Sequence, residues 1–400
     1  MWQKIKNIYH YLQALISAIY FGFPSKKLTV IAVTGTDGKT TTVNMIHHIF
    51  TAAGKKVSMV SSIGAQIGAK SQDTGYHVST PNPWQIQGLL KKATDEKSDY
   101  FVLEATSHGL DQNRLAFIKI HTAVITNISS EHLDYHKNIE NYSLAKLKLF
   151  KNCQTSILNR DDTYFDVFKK AARGKIITYS QMHSADISPK NFPINLQVIG
   201  TYNLANALAA SAVAQTLDIK KSVILKSLTT FSGIKGRMES VDLGQNFTAI
   251  IDFAHTPNAL KEALTSLKKQ YPKSKITAMF GAAGQRDKSK RHTMGALAAK
   301  LADFTVITSE DPRREDPGEI ALEIASGFSE FSKKEEKDYK IILDRKEAIH
   351  CAIESVKDND VVVFFGKGHE KSICVGKTEI PWDEYKEVEK AIKRKLKNGK

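Results

Sequence analysis

The stretch Leu28-Thr-Val-Ile-Ala-Val-Thr34, followed at once by Gly35-Thr-Asp-Gly-Lys-Thr-Thr41, decides the fold of this chain. The first part is a run of apolar and β-branched residues, which predicts a buried strand. The second part is a glycine-containing turn that ends in Lys-Thr-Thr. Val43-Asn-Met-Ile-His-His-Ile-Phe50 then places apolar residues at helical spacing. This order of strand, glycine turn and helix predicts an α/β domain with a phosphate-binding loop.

The turn can bind phosphate for a physical reason. Glycines let backbone N–H groups approach phosphate oxygens, and the N-terminus of the next helix adds partial positive charge. Lys39 is expected to reach the β- and γ-phosphates, and the Thr40 hydroxyl to ligate Mg²⁺. Val33 stands where the G-x-x-x-x-G-K-[ST] pattern has its first glycine, so the alternative is an ordinary turn between a strand and a helix.

Composition narrows the class of protein. A chain of 400 residues predicts about two or three domains, and 42% hydrophobic with 25% charged residues is a globular profile. The net charge of +15 favours anionic partners, but no basic stripe is interleaved with aromatic residues, so we predict no nucleic-acid partner. Three cysteines without C-x-x-C spacing argue against a zinc ribbon or a disulfide framework. They favour a reducing, cytoplasmic location, and we expect a monomer.

The N-terminal segment needs a separate interpretation. Residues 5–23 are apolar and aromatic, with Lys4, Lys6 and His10 near their start. The segment lacks an A-x-A-like cleavage site, and its uninterrupted apolar core is shorter than the roughly 20 residues of a membrane span. A helix packed on the body of the protein is the favoured interpretation, and an interfacial helix on a membrane surface is the alternative.

Further along the chain, strand patterns alternate with helical ones. A predicted strand at 100–104 ends in Glu104, which is placed to hold a metal ion, because ligands bind at the carboxyl ends of strands in open α/β sheets. The alternative is an ordinary charge at a strand end. After Gly233-Ile-Lys-Gly-Arg237 the alternation restarts, which predicts a second, doubly wound domain. We therefore expect a helical segment at 1–27, a central ATP-binding domain at 28–234 and a C-terminal domain at 235–400. The strand predictions of the first domain are 28–34, 57–61, 100–104 and 121–127, and those of the second are 248–252, 275–280, 304–309, 340–343 and 360–365.

Together the motifs resemble the Mur ligase family, most closely its MurE-type branch, over about residues 20–385. The resemblance implies a P-loop ATPase-type central domain and a Rossmann-like C-terminal domain. The motifs that carry it, besides the phosphate loop, are Glu104-Ala-Thr-Ser-His-Gly-Leu110, Asn127-Ile-Ser-Ser-Glu-His-Leu-Asp-Tyr-His136, Ala145-Lys146, Tyr202-Asn-Leu-Ala-Asn206, Gly236-Arg-Met-Glu239, Asp252-Phe-Ala-His-Thr-Pro257, Gly284-Gln-Arg-Asp-Lys288, Asp311-Pro-Arg313 and Gly366-Lys-Gly-His-Glu370.

The resemblance implies an ATP- and Mg²⁺-dependent ligase of peptidoglycan synthesis. In this family the γ-phosphoryl group of ATP is transferred to a substrate carboxylate, and an amine attacks the acyl phosphate to form an amide. The implied catalytic residues are Lys39, Glu104, His132 and Lys146, and the implied metal ligands are Thr40, Glu104, His132 and Lys146. The implied ATP-binding residues are Gly35, Thr36, Asp37, Gly38, Lys39, Thr40, Thr41, Asn206, Arg237, Asp252 and His255. The implied substrate-binding residues are Ser79, Thr80, Thr106, Gln112, Arg114, Arg286, Asp311, Pro312, Arg313, Gly366 and Glu370.

Several of these assignments have plainer alternatives. Lys146 matches a lysine that is carbamylated in the family, which would turn a cation into an anion beside a metal. A solvated helix lysine is the other interpretation. A lone histidine such as His132 is usually structural. Arginines such as Arg313 can bind a carboxylate of the incoming amino acid, and Glu370 can accept its ammonium group.

The sequence also departs from the family pattern. Of the N-terminal domain that grips the UDP end of the substrate, only the closing segment Tyr20-Phe-Gly-Phe-Pro-Ser25 is expected. The amino-acid motif reads Glu310-Asp-Pro-Arg313 instead of Asp-Asn-Pro-Arg, and the retained arginine favours diaminopimelate over lysine. Alternatives are a truncated ligase for another carboxylate, similar to folylpolyglutamate synthase, and a non-catalytic nucleotide-binding protein.

Overall fold

The structure is a computed structural model that describes residues 2–72 and 80–398. The chain divides into two compact units, Met1–Ser232 and Gly233–Lys400. Each unit is built on a largely parallel sheet with helices between the strands, which confirms the predicted α/β class. In the described part of the chain, no helix combines the length and the apolarity that crossing a bilayer requires.

The first unit contains a mixed sheet of eight described strands. They are β1 (Thr29–Thr34), β2 (Val57–Ser61), β3 (Gly64–Ile67), β4 (Lys70–Gln72), β5 (Tyr100–Glu104), β6 (Ile120–Ile125), β7 (Thr155–Asn159) and β8 (Lys175–Tyr179). Their order across the sheet is β4-β3-β2-β5-β1-β6-β7-β8, in which the β2–β3 and β3–β4 pairs are antiparallel and the other pairs are parallel. Since β1 lies between β5 and β6, the carboxyl ends of these three strands meet around the phosphate loop.

Helices cover both faces of this sheet and begin at recognisable caps. Asn82 accepts a hydrogen bond from Gln85 N at 2.9 Å, and the Gln85 side chain accepts from Asn82 N, so Pro83 can open a helix without an orphaned donor. The helices are α1 (Trp2–Tyr20), α2 (Lys39–Ala52), α3 (Pro83–Asp95), α4 (Ser107–Asp111), α5 (Leu133–His136), α6 (Ile139–Leu147), α7 (Phe165–Ala171), α8 (Tyr202–Thr216) and α9 (Lys221–Thr229), with 3₁₀ turns at Pro24–Lys27 and Lys148–Phe150.

The second unit has a sheet of six described strands, β9 (Glu239–Val241), β10 (Thr248–Asp252), β11 (Ile276–Phe280), β12 (Phe304–Ile307), β13 (Tyr339–Ile341) and β14 (Val361–Phe365), and a separate hairpin of β15 (Ser372–Val375) and β16 (Thr378–Pro381). The order across the sheet is β13-β12-β11-β14-β10-β9, in which only the edge strand β9 runs antiparallel among the described residues. Its helices are α10 (Pro257–Gln270), α11 (Ser289–Leu301), α12 (Pro317–Ala325), α13 (Arg345–Ser355) and α14 (Glu384–Asn398), with a 3₁₀ helix at Ser326–Phe331.

A buried ion pair fixes the carboxyl end of β14. Arg345, the first residue of α13, donates to both carboxylate oxygens of Glu384 at 2.9 and 2.6 Å. It also donates to Phe365 O at 2.7 Å, and both charged side chains are buried. The bidentate geometry satisfies the two charges and places the loop after β14 in a defined position.

Burial of His47 in α2 predicts a pH-dependent stability. Burial disfavours the charged imidazole and lowers the pKa of His47 to about 4. Between pH 6.5 and 4 the His47 imidazole is therefore protonated in the unfolded chain and neutral in the folded chain. The free energy of unfolding falls as the pH falls through this range. The expected loss is up to about 3 kcal/mol at pH 4. Denaturant unfolding of the wild type and of His47→Gln between pH 4 and 7 measures it.

The variant is expected to lose less stability over this window than the wild type. Exposed His183 offers the matched control, and His183→Gln is expected to follow the wild-type profile. Parallel profiles for all three proteins would contradict the assignment of the pH dependence to His47.

Candidate active site

The phosphate loop is the turn between β1 and α2. Gly35 and Gly38 have φ angles of 148° and 82°, which residues with a side chain rarely adopt. A Cβ atom on Gly35 would lie 1.8 Å from Thr126 Oγ1. Glycine is therefore required where the loop passes the end of β6, and the predicted turn is confirmed in position.

Residues after β6 hold this loop in shape. Asp37 N donates to Asn127 Oδ1 at 2.9 Å, and Thr36 N donates to Asn127 O at 2.8 Å. Thr126 Oγ1 donates to Asp37 O at 2.6 Å. These three bonds fix the conformation of the loop backbone.

Lys39 begins α2 and turns back over the loop. Its Nζ atom donates to Thr36 O at 2.6 Å, so the ammonium group is held against the turn itself. Thr40 and Thr41 follow in the first helical turn, where the N-terminus of the helix contributes partial positive charge. The loop, the lysine and the helix end thus form one cationic site for phosphates.

A buried carboxylate lies beside the first turn of α2. Thr40 Oγ1 donates to Glu104 Oε2 at 2.9 Å, and Glu104 is the last residue of β5. Ser62, which follows β2, joins this pair, because its backbone N–H donates to Glu104 Oε2 at 3.1 Å and its hydroxyl lies 2.9 Å from Thr40 Oγ1. Ser62 was not among the residues predicted from the sequence, although its place directly after a predicted strand was a usable signal.

Lys146 also reaches the phosphate loop. Its side chain is buried, Nζ donates to Gly35 O at 2.6 Å, and Nζ lies 4.4 Å from the centre of the Tyr142 ring. Burial, and next the nearby charge of Lys39, hold the pKa of Lys146 well below its usual value. The alternative of a solvated helix lysine is therefore wrong.

His132 lies in a cluster of rings rather than on an apolar face. It has a left-handed backbone, with φ of 56°, and its Nε2 atom is 3.6 Å from Glu131 Oε1. Ring centroids are 4.7 Å apart for His132 and His108, and 6.5 Å apart for His132 and Tyr142. The Tyr142 hydroxyl lies 3.1 Å from Thr36 Oγ1, so this cluster adjoins the phosphate loop.

No group of three His, Cys, Asp or Glu side chains suited to a metal occurs within residues 2–72 and 80–398. The predicted metal ligands include only two residues of these types, Glu104 and His132. The structure brings Thr40 and Glu104 into direct contact and places both Lys146 and His132 near the Tyr142 ring.

Four of the predicted substrate residues of the first unit form one hydrogen-bond network. Thr106 N and Oγ1 both bond to Thr80 Oγ1, at 2.9 and 3.0 Å. Arg114 donates to Thr80 O at 2.9 Å and, through two nitrogens, to Gln112 Oε1 at 3.0 and 2.8 Å. Burial of this arginine lowers its pKa. Ser79 lies outside the described residues.

Asn206 closes the other side of the phosphate loop. It is buried near the start of α8, and Thr42 Oγ1 donates to Asn206 Oδ1 at 3.4 Å. A Cβ atom on Gly38 would lie 2.2 Å from the same oxygen. The amide thus explains why the second loop position must also be glycine.

The predicted nucleotide residues of the second unit cluster at the end of β10. Asp252 is buried and accepts from Met238 N at 2.8 Å and Ala254 N at 2.9 Å. Burial raises the pKa of this carboxyl. The Arg237 guanidinium lies 4.4 Å from the centre of the Phe253 ring, and His255 Nδ1 lies 2.9 Å from Phe253 O. Phe253 therefore contacts both Arg237 and His255, which lie beside Asp252.

Except for Arg286, the predicted amino-acid residues lie after β12 and β14 of this unit. Lys367, which the sequence analysis did not assign, connects them: its buried Nζ donates to Asp311 Oδ1 at 2.9 Å and to Glu370 Oε2 at 2.6 Å. Arg313 has a left-handed backbone, with φ of 53°, and donates its N–H to Cys374 O at 3.0 Å. Arg286 is exposed on the loop after β11.

Crowded glycines shape the same region. Pro312 O lies 2.0 Å from the Cβ position of Gly284, so the motif loops are in close backbone contact. A Cβ atom on Gly366 would lie 2.7 Å from Glu310 Oε2. That oxygen is buried and has no hydrogen-bond partner among the described residues, and burial raises the pKa of Glu310.

Comparison with known proteins agrees with this geometry. Residues 33–214 match the Mur ligase middle domain, and residues 236–368 match the Mur ligase, glutamate ligase domain. A UDP-N-acetylmuramoyl-L-alanyl-D-glutamate--2,6-diaminopimelate ligase from Syntrophomonas wolfei is 37% identical over 96% of this chain and 82% of its own length. A UDP-N-acetylmuramyl-tripeptide synthetase from Borreliella burgdorferi is 38% identical over 94% of this chain and 78% of its own length.

A solved structure of a UDP-N-acetylmuramoyl-L-alanyl-D-glutamate--2,6-diaminopimelate ligase is also similar. Its TM-score is 0.62 at 29% identity, and the match covers 92% of this chain and 79% of that one. The two domain matches, the long alignments and the phosphate loop with its partner side chains all agree. The chain belongs to the Mur ligase family.

Proposed function

We propose that this chain is an ATP-dependent ligase of peptidoglycan synthesis that adds diaminopimelate to the carboxylate of a muramoyl-dipeptide. The observation that supports this most directly is the contact between Thr40 and Glu104, 2.9 Å, in the first turn after the phosphate loop. A hydroxyl and a buried carboxylate at that place suit phosphoryl transfer from a nucleotide. The proposal takes its two substrates from the name of the similar 2,6-diaminopimelate ligase.

The chemistry has two steps. A substrate carboxylate oxygen attacks the γ-phosphorus of ATP, the bond to the β-phosphate oxygen breaks, and ADP leaves. The amine nitrogen then attacks the acyl carbon of the acyl phosphate, inorganic phosphate leaves, and the nitrogen loses its extra proton. Lys39 stabilises the negative charge on the transferring phosphoryl group, and the loop N–H groups orient it.

Oxygen ligands at this site fit Mg²⁺. The Thr40 hydroxyl and the Glu104 carboxylate are hard oxygen donors, and burial of the carboxylate beside a phosphate loop suits a cation that also binds phosphate oxygens. We assign these two residues as its protein ligands, with His132 and Lys146 as further ligands of a second ion. When bound, Mg²⁺ neutralises phosphate charge during transfer.

Carbamylation of Lys146 is part of the proposal. Its lowered pKa favours the neutral amine, whose lone pair can attack CO₂. A nitrogen–carbon bond forms, one proton leaves the nitrogen, and the neutral amine becomes a carbamate anion. An unmodified ammonium group there would repel a metal ion, whereas the carbamate would attract it.

Substrate residues divide between the two units. The network of Thr80, Thr106, Gln112 and Arg114 is assigned to the muramoyl-peptide, because it presents a guanidinium and hydroxyls that can bind carboxylate and amide groups. Residues of the second unit are assigned to the nucleotide and to the amino acid. They are Arg237, Asp252 and His255 for the nucleotide, and Arg286, Asp311, Pro312, Arg313, Gly366 and Glu370 for the amino acid.

Release of phosphate tests the reaction class. The purified chain is incubated with ATP, Mg²⁺, a UDP-linked muramoyl-dipeptide and diaminopimelate, and phosphate is measured with each component left out in turn. We expect sustained release only when both the acceptor and the amine are present, with the tripeptide as product. Phosphate release that does not depend on either substrate would refute the ligase assignment.

A panel of amines tests the amino acid separately. We expect the kcat/KM for diaminopimelate to exceed those for lysine and ornithine, since Arg313 can bind its second carboxylate bidentately. Arg313→Ala is expected to reduce this preference, while Arg314→Ala, the exposed neighbour, serves as the control. A preference for lysine would overturn the amino-acid assignment and leave the ligase assignment intact.

A further inference from the structure

The N-terminal helix α1 packs with its small side chains inward and exposes its large apolar ones. Ala14, Ser17 and Ala18 are buried against the first unit. The side chains that point outward include Ile8, Leu12, Ile16 and Ile19, which are 61, 50, 56 and 58% exposed. Single exposed apolar residues are ordinary, but several on one helix mark an interaction surface.

These four residues form a continuous stripe. Their spacing of four, four and three positions keeps them on one face of a helix, over a length of about 16 Å. We call Ile8, Leu12, Ile16 and Ile19 the α1 stripe. Its position opposite the buried face means that the packing of α1 on the first unit leaves the stripe uncovered within the described residues.

Aromatic residues flank the stripe at its C-terminal end. Tyr20 is 74% exposed, and its ring centroid lies 5.5 Å from that of Trp84 and 4.9 Å from that of Phe21. Tyr9 is exposed towards the other end. Tyrosine and tryptophan favour the boundary between lipid headgroups and acyl chains, because there the polar group of the ring contacts water while its apolar part contacts the acyl chains.

The charge of this region favours an anionic surface. The chain has no aspartate or glutamate before Asp37, whereas it has four lysines in that interval, Lys4, Lys6, Lys26 and Lys27. Lys6, Lys26 and Lys27 are exposed. Lysines that flank an interfacial apolar helix are attracted to acidic lipid headgroups.

We propose that α1 lies on the surface of a membrane that contains anionic lipids, with the α1 stripe at the boundary of headgroups and acyl chains. This proposal does not depend on the enzymatic function proposed above. The outward stripe, the flanking aromatic rings and the acid-free cationic sequence all match a monotopic amphipathic helix.

The other side of α1 contacts residues that adjoin the candidate substrate network. Asn7 Nδ2 donates to Asp111 Oδ2 at 3.3 Å, and the rings of Tyr11 and Phe117 lie 5.0 Å apart. Asp111 is followed directly by Gln112, and its Oδ2 also accepts from Tyr135 OH at 2.9 Å. Membrane binding would therefore hold the Gln112 and Arg114 region about one helix diameter, roughly 10 Å, from the lipid surface.

Sedimentation with vesicles tests the proposal. The full chain is mixed with vesicles of equimolar phosphatidylglycerol and phosphatidylcholine, and with vesicles of phosphatidylcholine alone. We expect binding to the anionic vesicles that weakens at high salt. Leu12→Gln/Ile16→Gln is expected to lower the partition coefficient by about tenfold or more, and Lys26→Gln/Lys27→Gln by roughly fivefold per lysine on anionic vesicles only.

Matched controls separate this effect from a general loss of hydrophobicity. Leu322→Gln/Ile380→Gln makes the same type of change at exposed positions of the second unit and is expected to bind as the wild type does. All variants should unfold at the wild-type temperature, because the replaced side chains are exposed. Equal binding by the stripe variant and the wild type, or no binding by the wild type, would overturn the proposal. A wild-type dimer that the stripe variant converts to monomers, without vesicle binding, would assign the stripe to a second copy instead.

Discussion

Replacing Lys39 by methionine is expected to lower the rate of amide formation roughly a thousandfold or more, because its charge is needed when negative charge moves on the transferring phosphoryl group. In the structure Lys39 Nζ donates to Thr36 O of the loop at 2.6 Å. Methionine keeps most of the volume of the lysine side chain and removes its charge. Steady-state phosphate release at saturating ATP, acceptor and amine measures the effect.

Two further variants make this result specific. Lys39→Arg keeps the positive charge but spreads it over a planar group, and it is expected to recover little activity, since the loop receives a compact ammonium group. Lys55→Met, at an exposed position after the same helix, is expected to retain wild-type turnover. Near-normal ligation by Lys39→Met, with an unchanged unfolding temperature, would refute the assigned role.

Replacing Lys146 by alanine is expected to reduce activity by at least about a hundredfold, and short carboxylates such as acetate are expected to restore part of it. The expectation follows from the carbamate proposed for this side chain, whose carboxylate a small acid can replace in the space left by the truncation. Initial rates with and without added acetate or bicarbonate are the measurement. Chloride at equal ionic strength is the control for salt effects.

Folding must be separated from chemistry at this buried position. Lys146→Met fills most of the volume that alanine leaves empty, so it reports the loss of the charged group without a cavity. Lys151→Ala, an exposed lysine shortly after, is expected to behave as the wild type. Full activity of Lys146→Ala without supplements would eliminate the carbamate, and an inactive variant that no carboxylate rescues would assign Lys146 a structural role.

The sequence predicted the central strands well, because their apolar runs follow from burial on both faces of a parallel sheet. The segments 57–61, 100–104 and 248–252 have the predicted bounds. Short strands at or next to a sheet edge, such as Gly64–Ile67 and Glu239–Val241, were missed, since half-buried or exposed strands leave no apolar run. The N-terminal helix ends at Tyr20, inside the predicted helical segment of 1–27, because Gly22 and Phe23 adopt positive φ angles.

For the candidate site, the limits of prediction are set by contacts between distant parts of the chain. The phosphate loop was located from its own residues, but the bonds from Thr126 and Asn127 that shape it depend on the position of β6 beside β1. Lys367 was overlooked because nothing local shows that it is buried between two carboxylates. The exposure of the α1 stripe could not be predicted either, because hydrophobic periodicity identifies an apolar helix face without showing whether that face packs on the protein or is exposed.

Neighbouring carbonyl groups of the phosphate loop connect the two lysines to the shape of the turn. Lys146 Nζ donates to Gly35 O and Lys39 Nζ donates to Thr36 O, so each lysine supports the backbone of the loop as well as supplying a functional group. A substitution at either position therefore removes a hydrogen bond of the turn together with that group. Nucleotide affinity and turnover of the Lys39 and Lys146 variants must be compared, since a loss of turnover alone would not separate the lost group from an altered turn.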